Sequence, residues 1–150
     1  MKKKLIIWFS FILILSTQFL NADEKFLSLK KNKVNVRYGP SFDFEIKYIY
    51  KKINLPLKQI DKKENWRRIV DLKNNSGWIH SSQLNDRSNS VIILEDKILF
   101  KNASNFSKPL LRLEKGRLLI LIKCEKNWCK IKTDNYSGWI KTDNIWGSIR

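Results

Sequence analysis

The sequence predicts an all-β protein: two small β-barrels in tandem behind an N-terminal signal peptide. Three observations carry that prediction. Beyond residue 22 the chain is a series of short apolar runs broken by polar turns, as in a sandwich or small barrel. No segment there keeps a helical period for more than a turn or two. The same motifs also occur twice in the same order, about 60 residues apart.

The leader comes first in the chain. Lys2, Lys3 and Lys4 precede the apolar run Leu5–Leu15, which only Ser10 interrupts. Ser16, Thr17 and Gln18 turn polar, and Asn21-Ala22 offers a small residue at the cut. That order of basic, apolar, polar and small residues is the order of a secretory signal peptide. The apolar stretch is short against the ~20 residues of a membrane span. Leu20 sits at the −3 position of the cut, where a smaller residue is preferred, so an uncleaved N-terminal anchor is the alternative. Removing residues 1–22 takes three lysines away and leaves 128 residues with a net charge of +13, from +16. The expected location is periplasmic or extracellular.

The repeat organises the rest. Asn65-Trp66-Arg67-Arg68-Ile69 returns as Asn127-Trp128-Cys129-Lys130-Ile131, 62 residues later. Ser76-Gly77-Trp78-Ile79-His80 returns as Ser137-Gly138-Trp139-Ile140-Lys141, 61 residues later. Upstream, Val34–Arg37 aligns with Ile98–Lys101 at an offset of 64. The expected units are residues 23–84 and 90–150, joined by a polar boundary at 85–89. A unit of this size buries only about 60% of its unfolded surface, so packing the two together is favourable.

Within the units, Ile46, Tyr48 and Tyr50 alternate with polar residues and read as a half-buried strand. Leu55–Ile60 and Trp66–Leu72 read as strands around a charged turn, Asp61–Asn65. Asn74-Asn75-Ser76-Gly77 and Asp134–Gly138 are turns. Leu118–Ile122 is continuously apolar and reads as a strand buried on both faces. Trp66 and Trp128 are expected in the cores.

These residues resemble the bacterial SH3-like (SH3b) family. Val34-Asn35-Val36-Arg37-Tyr38-Gly39-Pro40-Ser41 is similar to its opening N-V-R-x-G-P-S signature, and Trp66 with Gly77-Trp78-Ile79 to its closing W…G-W-V pattern. The second copy keeps the closing half at Trp128 and Gly138-Trp139-Ile140. Its opening half, Lys101–Asn105, has lost the Arg, Gly and Pro, which puts any function of that loop in doubt there. The resemblance implies a five- to six-stranded SH3-like barrel per unit. It also implies a non-catalytic module, often secreted and linked to cell-wall peptides or glycans.

Cys124 and Cys129 flank four residues, Glu125–Trp128. If the flanking strands form a hairpin the sulfurs face each other, and an exported chain permits the disulfide. Ile60 and Arg67 stand near the equivalent places in the first unit. So short a loop contributes less than the ~3 kcal/mol of a loop of about fifteen residues.

Arg37, Tyr38, Tyr48 and Trp78 are the candidate ligand-binding residues, because aromatic faces take sugars and extended peptides while Arg grips a carboxylate. Arg37 reads equally as a structural residue fixing the Gly39-Pro40 turn. The single histidine, His80, is replaced by Lys141 in the second copy and reads as an ordinary exposed position. One histidine excludes multi-His metal sites, and no zinc spacing, phosphate loop or nucleophile elbow is present in the sequence. No cofactor, metal or nucleic acid is expected. The chain is rich in Lys, Asn and Ile, the bias of AT-rich codons, so composition accounts for part of its charge. The rest suits anionic envelope surfaces. The leading function is binding of peptidoglycan or its stem peptides; the alternative is an adaptor for another envelope protein.

Overall fold

The computed structural model describes residues 24–133 and 135–149. The expected leader over residues 1–22 lies outside the described residues. β1 (Phe26–Leu29), β2 (Val34–Arg37), β3 (Ile46–Tyr50), β4 (Pro56–Lys63), β5 (Trp66–Val70), β6 (Ser76–His80) and β7 (Leu84–Asn85) form one antiparallel sheet. Its order is β3-β2-β6-β5-β4-β1-β7. β8 (Ser90–Ile93), β9 (Lys97–Phe100), β10 (Pro109–Leu113), β11 (Leu118–Glu125), β12 (Trp128–Thr133), β13 (Tyr136–Lys141) and β14 (Ile145–Gly147) repeat that order strand for strand. A 3-10 turn at Ser81–Gln83 is the only helical element among the described residues, and no described helix is long and apolar enough to cross a membrane.

Alternation builds each core. β2 buries Val34 and Val36 and exposes Asn35. With Leu27, Leu29, Leu57, Ile69, Ile79 and Leu84 they form the first core. Val91, Ile93, Leu99, Leu113, Leu119, Leu121, Cys129, Ile131 and Ile140 form the second. Each such side chain contributes about 1.5–3 kcal/mol on burial.

The strand pairings correct the register of the repeat's opening segment. Arg37 pairs with Trp78 in the first sheet, and Phe100 pairs with Trp139 in the second. Val34, Asn35, Val36 and Arg37 therefore correspond to Lys97, Ile98, Leu99 and Phe100, at an offset of 63 and not 64. The connection between the first two strands is one residue shorter in the second copy, and similarity of apolar residues alone did not locate that loss.

Three further expectations change. The charged stretch Asp61-Lys62-Lys63 belongs to β4, and only Glu64-Asn65 makes the turn, with Glu64 in the left-handed region at φ 48°. Leu118–Ile122 is not buried on both faces: Leu119 and Leu121 point inward while Ile122 is exposed. The strands buried throughout are β1 and β8, because each is covered by its own core on one side and by the other unit on the second. Ile46, finally, does not share a face with Tyr48 and Tyr50. A bulge at Lys47 turns it outward beside Arg37.

The two units meet at Trp146. Its indole packs edge-on against Phe26, ring centroids 5.2 Å apart, and its Nε1 donates to the Pro56 carbonyl at 3.2 Å. The first unit has Asn85 in the place of Trp146, so the contact is not symmetric.

Cys124 and Cys129 are direct cross-strand partners and form the expected disulfide. Their counterparts in the first unit are Lys62 and Arg67, not Ile60, because both hairpins close through a two-residue turn.

Two outcomes follow for stability. A Cβ at Gly138 would collide with the Phe100 carbonyl oxygen and stand 2.9 Å from Leu99 Cγ. Gly138→Ala should cost about 2–3 kcal/mol in urea denaturation, since backbone is what must move. Trp146→Ala should cost about 2 kcal/mol and separate the unfolding of the two barrels into distinct transitions in calorimetry.

Candidate functional site

The outward faces of β2, β6 and β5 carry the candidate site. Ile69 and Ile79 point into the core, so parity sends Trp66, Arg68, Trp78 and His80 to the other side. Cross-strand pairing sets Trp66 opposite His80 and Arg68 opposite Trp78. Arg37 then stands next to Trp78.

The loop from Tyr38 to Glu45 folds back over this face. Arg37 holds it there: its Nη1 donates to the carbonyls of Phe42 at 3.1 Å and Phe44 at 2.5 Å. Its guanidinium also lies 5.6 Å from the Phe42 ring centroid. Phe42 packs on Trp66 and His80, at 5.0 and 5.4 Å between ring centroids, and the latter two are 5.3 Å apart. Trp66 is nearly fully buried by this cluster and not by the barrel core.

Lys33, Asn35, Arg37, Phe42, Trp66, His80, Ser82 and Gln83 line a cleft of about 260 Å³. None of them is acidic. An open surface continuing past His80 and Ser82 adds Lys30, Arg67 and Arg87, with Asp86 as its one acid. The Ser82 amide donates to His80 Nδ1 at 3.4 Å, and the Ser82 hydroxyl lies 2.8 Å from the same atom. Nδ1 is therefore the acceptor of the Ser82 amide.

The sequence-predicted residues are split by this arrangement. Arg37 fixes the loop, as its structural reading expects, and also lines the cleft. Tyr38 and Trp78 line an adjoining recess of about 250 Å³ with Lys47 and Arg68. Lys47 Nζ donates to the Ser76 carbonyl at 2.9 Å and lies 5.5 Å from the Tyr38 ring centroid. Tyr48 is not part of either cavity. It faces inward, opposite Val36, with its hydroxyl 3.4 Å from that of Tyr50. Burial raises the pKa of both phenols, Tyr50 well beyond its usual range with help from Tyr48 and Asp71, so they remain donors. Tyr50 donates to Asp71 Oδ2 at 3.0 Å, and Asp71 Oδ1 accepts the amides of Lys73 and Asn75. That pair holds the turn before β6.

Phe42, Trp66 and His80 were not among the predicted residues. Counting parity back from a core Ile69 would have turned Trp66 outward, but no sequence signal brings Phe42 over it.

The second unit has a cleft at the same place, about 220 Å³, with different chemistry. Phe100 replaces Arg37, Asn105 replaces Phe42 and Lys141 replaces His80. Lys97, its side chain only 5% exposed, pairs with Glu95 at 3.1 Å and Asp143 at 3.5 Å. Asp96 accepts the Lys115 amide and pairs with Arg112, which hold its carboxyl below the usual range. Its acids are thus already neutralised within the barrel. Among the described residues no group of His, Cys, Asp and Glu is placed to hold a metal ion.

Two small antiparallel barrels in tandem, one bearing a cationic aromatic cleft under a long loop, define the architecture. The model of the bacterial SH3 domain family matches residues 30–86 and 97–147, and the chain belongs to that family. Similar solved structures include NlpC2 and NlpC1 from Trichomonas vaginalis, each 11% identical with a TM-score of 0.38. The alignments cover 83% of this chain and 48% and 46% of those. An NlpC/P60 family protein from Bacillus cereus is 14% identical with a TM-score of 0.35, over 82% of this chain and 57% of that one. The chain spans about half the length of these structures. A search of curated proteins gives no match.

Arg37→Ala should free the loop. The amide of Tyr38, which donates to the Glu45 carbonyl at 3.2 Å, should lose hydrogen-exchange protection. Trp66 emission should shift to the red as Phe42 leaves it. A protected Tyr38 amide in the variant would show that Arg37 does not hold the loop.

Proposed function

We infer that the protein is a non-catalytic binding module of the cell envelope, whose first barrel takes a carboxylate-bearing stem peptide of peptidoglycan. The observation that carries this reading is the first unit's cleft. Arg37 and Lys33 supply positive charge without an acidic neighbour in the lining, and Phe42 with His80 supplies flat apolar surface. Arg37 uses Nη1 on the loop, while Nε and Nη2 have no partner among the described residues. Those donors suit a carboxylate, which an arginine fork binds with two parallel bonds. Membership of the bacterial SH3 family supports an envelope role, and the expected leader agrees with it.

The absence of catalysis is part of the proposal. Both cysteines are joined in the disulfide, so neither serves as a nucleophile. His80 has its acceptor nitrogen engaged by Ser82.

Co-sedimentation with insoluble sacculi tests the reading. The chain should be retained, and Arg37→Ala and Phe42→Ala should each weaken retention about tenfold, the factor of 1.4 kcal/mol. Trp78→Ala, in the adjoining recess, should weaken it less. Binding should fall with salt but survive moderate concentrations, because the aromatic contacts are not screened. Retention indifferent to both Arg37→Ala and Phe42→Ala would remove the cleft from consideration, and hydrolysis of the sacculi would reverse the non-catalytic reading.

A further inference from the structure

The duplication supplies a control for the surface of the first barrel. Tyr38, Phe44, Ile46, Ile49 and Ile53 run along the long loop, β3 and the following turn, and all are between 38% and 61% exposed. Strand pairing and turn hydrogen bonds match them to Lys101, Ser107, Pro109, Arg112 and Lys115 in the second barrel. None of these five positions carries a large apolar side chain there, although Phe106 is exposed elsewhere in the same loop. Folding therefore does not require these five residues, and an exposed apolar patch that folding does not require marks an interaction surface.

The edge strand shows what kind. β3 stands at the end of its sheet and, among the described residues, hydrogen-bonds along one side only, to β2. Its counterpart β10 has the two devices that guard such an edge. Pro109 removes a donor at the strand start, and Arg112 places a charge in its middle. The first barrel has Ile46 and Ile49 at those places, so its edge remains open to a further strand. Lys47, Lys51 and Lys52 on and beside β3 outnumber Asp43 and Glu45, and Lys51 and Lys52 have no ion-pair partner among the described residues. A second copy of this basic chain would bring like charges together, which disfavours pairing β3 with itself.

We propose that β3 is a docking edge for an extended, acidic segment of another protein, which adds to the sheet as a strand. Backbone pairing supplies the register, and alternate apolar side chains of the segment cover Ile46 and Ile49 while its acids meet the lysines. This surface lies outside the peptidoglycan cleft and does not depend on that reading.

A synthetic peptide of alternating Val and Glu, about seven residues long, spans the strand and serves as the probe. It should bind the intact chain and slow amide exchange in β3 but not in β10. The double variant Ile46→Pro/Ile49→Arg installs the residues with which the second barrel already folds. It should keep its circular dichroism spectrum and sacculus retention while binding the peptide about tenfold more weakly. A matching peptide of Val and Lys should not bind. Unweakened binding to the double variant, protection of β10, or equal binding of the Lys peptide would overturn the proposal. Dimerisation of the peptide-free chain that the double variant abolishes would overturn it in favour of self-pairing.

Discussion

Each barrel closes where its sixth strand crosses its second, and neither crossing leaves room for a side chain. A Cβ at Gly77 would collide with Val36 and stand 3.0 Å from the Arg37 carbonyl oxygen; Gly138 meets Leu99 and Phe100 in the same way. The approach has little tolerance, because a core side chain and a backbone carbonyl stand on the other side of each glycine. Two sheets become two barrels through it, and the site depends on it as well. It sets Arg37 beside Trp78, and two residues further along β6 it brings His80 to the mouth of the cleft.

The signature at Val34–Ser41 and the repeated Gly-Trp pairs made the architecture legible, because residues needed for closure cannot vary freely. Register was harder to read. Apolar residues recur every second position in a strand, so an offset of 64 and one of 63 both place an aliphatic residue near an aliphatic residue. Only the pairing of Phe100 with Trp139 decides between them. The bulge at Lys47 was equally hidden, since period two shows nothing when one residue is inserted. In the site, Arg37 was legible from its motif and Trp78 from its glycine. Phe42 was not, because its position over Trp66 follows from two hydrogen bonds that Arg37 makes to loop carbonyls.

The copies have diverged at matching places, and the differences are consistent in direction. Val34, deep in the first core, corresponds to Lys97, whose ammonium is kept by Glu95 and Asp143. Burying a charge costs energy that the partner charges only partly return, so Lys97 keeps both acids, and the second cleft is rimmed by ion pairs where the first has none in its lining. Asn144 Nδ2 donates to Glu95 Oε2 at 3.0 Å and extends that rim to the turn before β14. The disulfide fastens the β11–β12 hairpin of the same barrel. The disulfide and the ion-paired rim thus both belong to the second unit, and the acid-free cleft to the first.

That division gives Trp146 its significance. The residue sits on the last strand of the fastened barrel and reaches across to Phe26 and Pro56 of the other. β1, which carries Phe26, and β4, which begins with Pro56, lie in the half of the sheet away from β3, with only β7 beyond β1. The contact therefore supports the first barrel from behind and leaves β2, β3 and β6 uncovered. A lone barrel of this size is marginal because it buries too little of its own surface. Covering β1 on its second face adds buried area without occluding the cleft, and a degenerate second copy suffices for that purpose. Loss of the Arg, Gly and Pro from the second opening loop does not touch this contact, which Trp146 makes to Phe26 and Pro56 from the last strand.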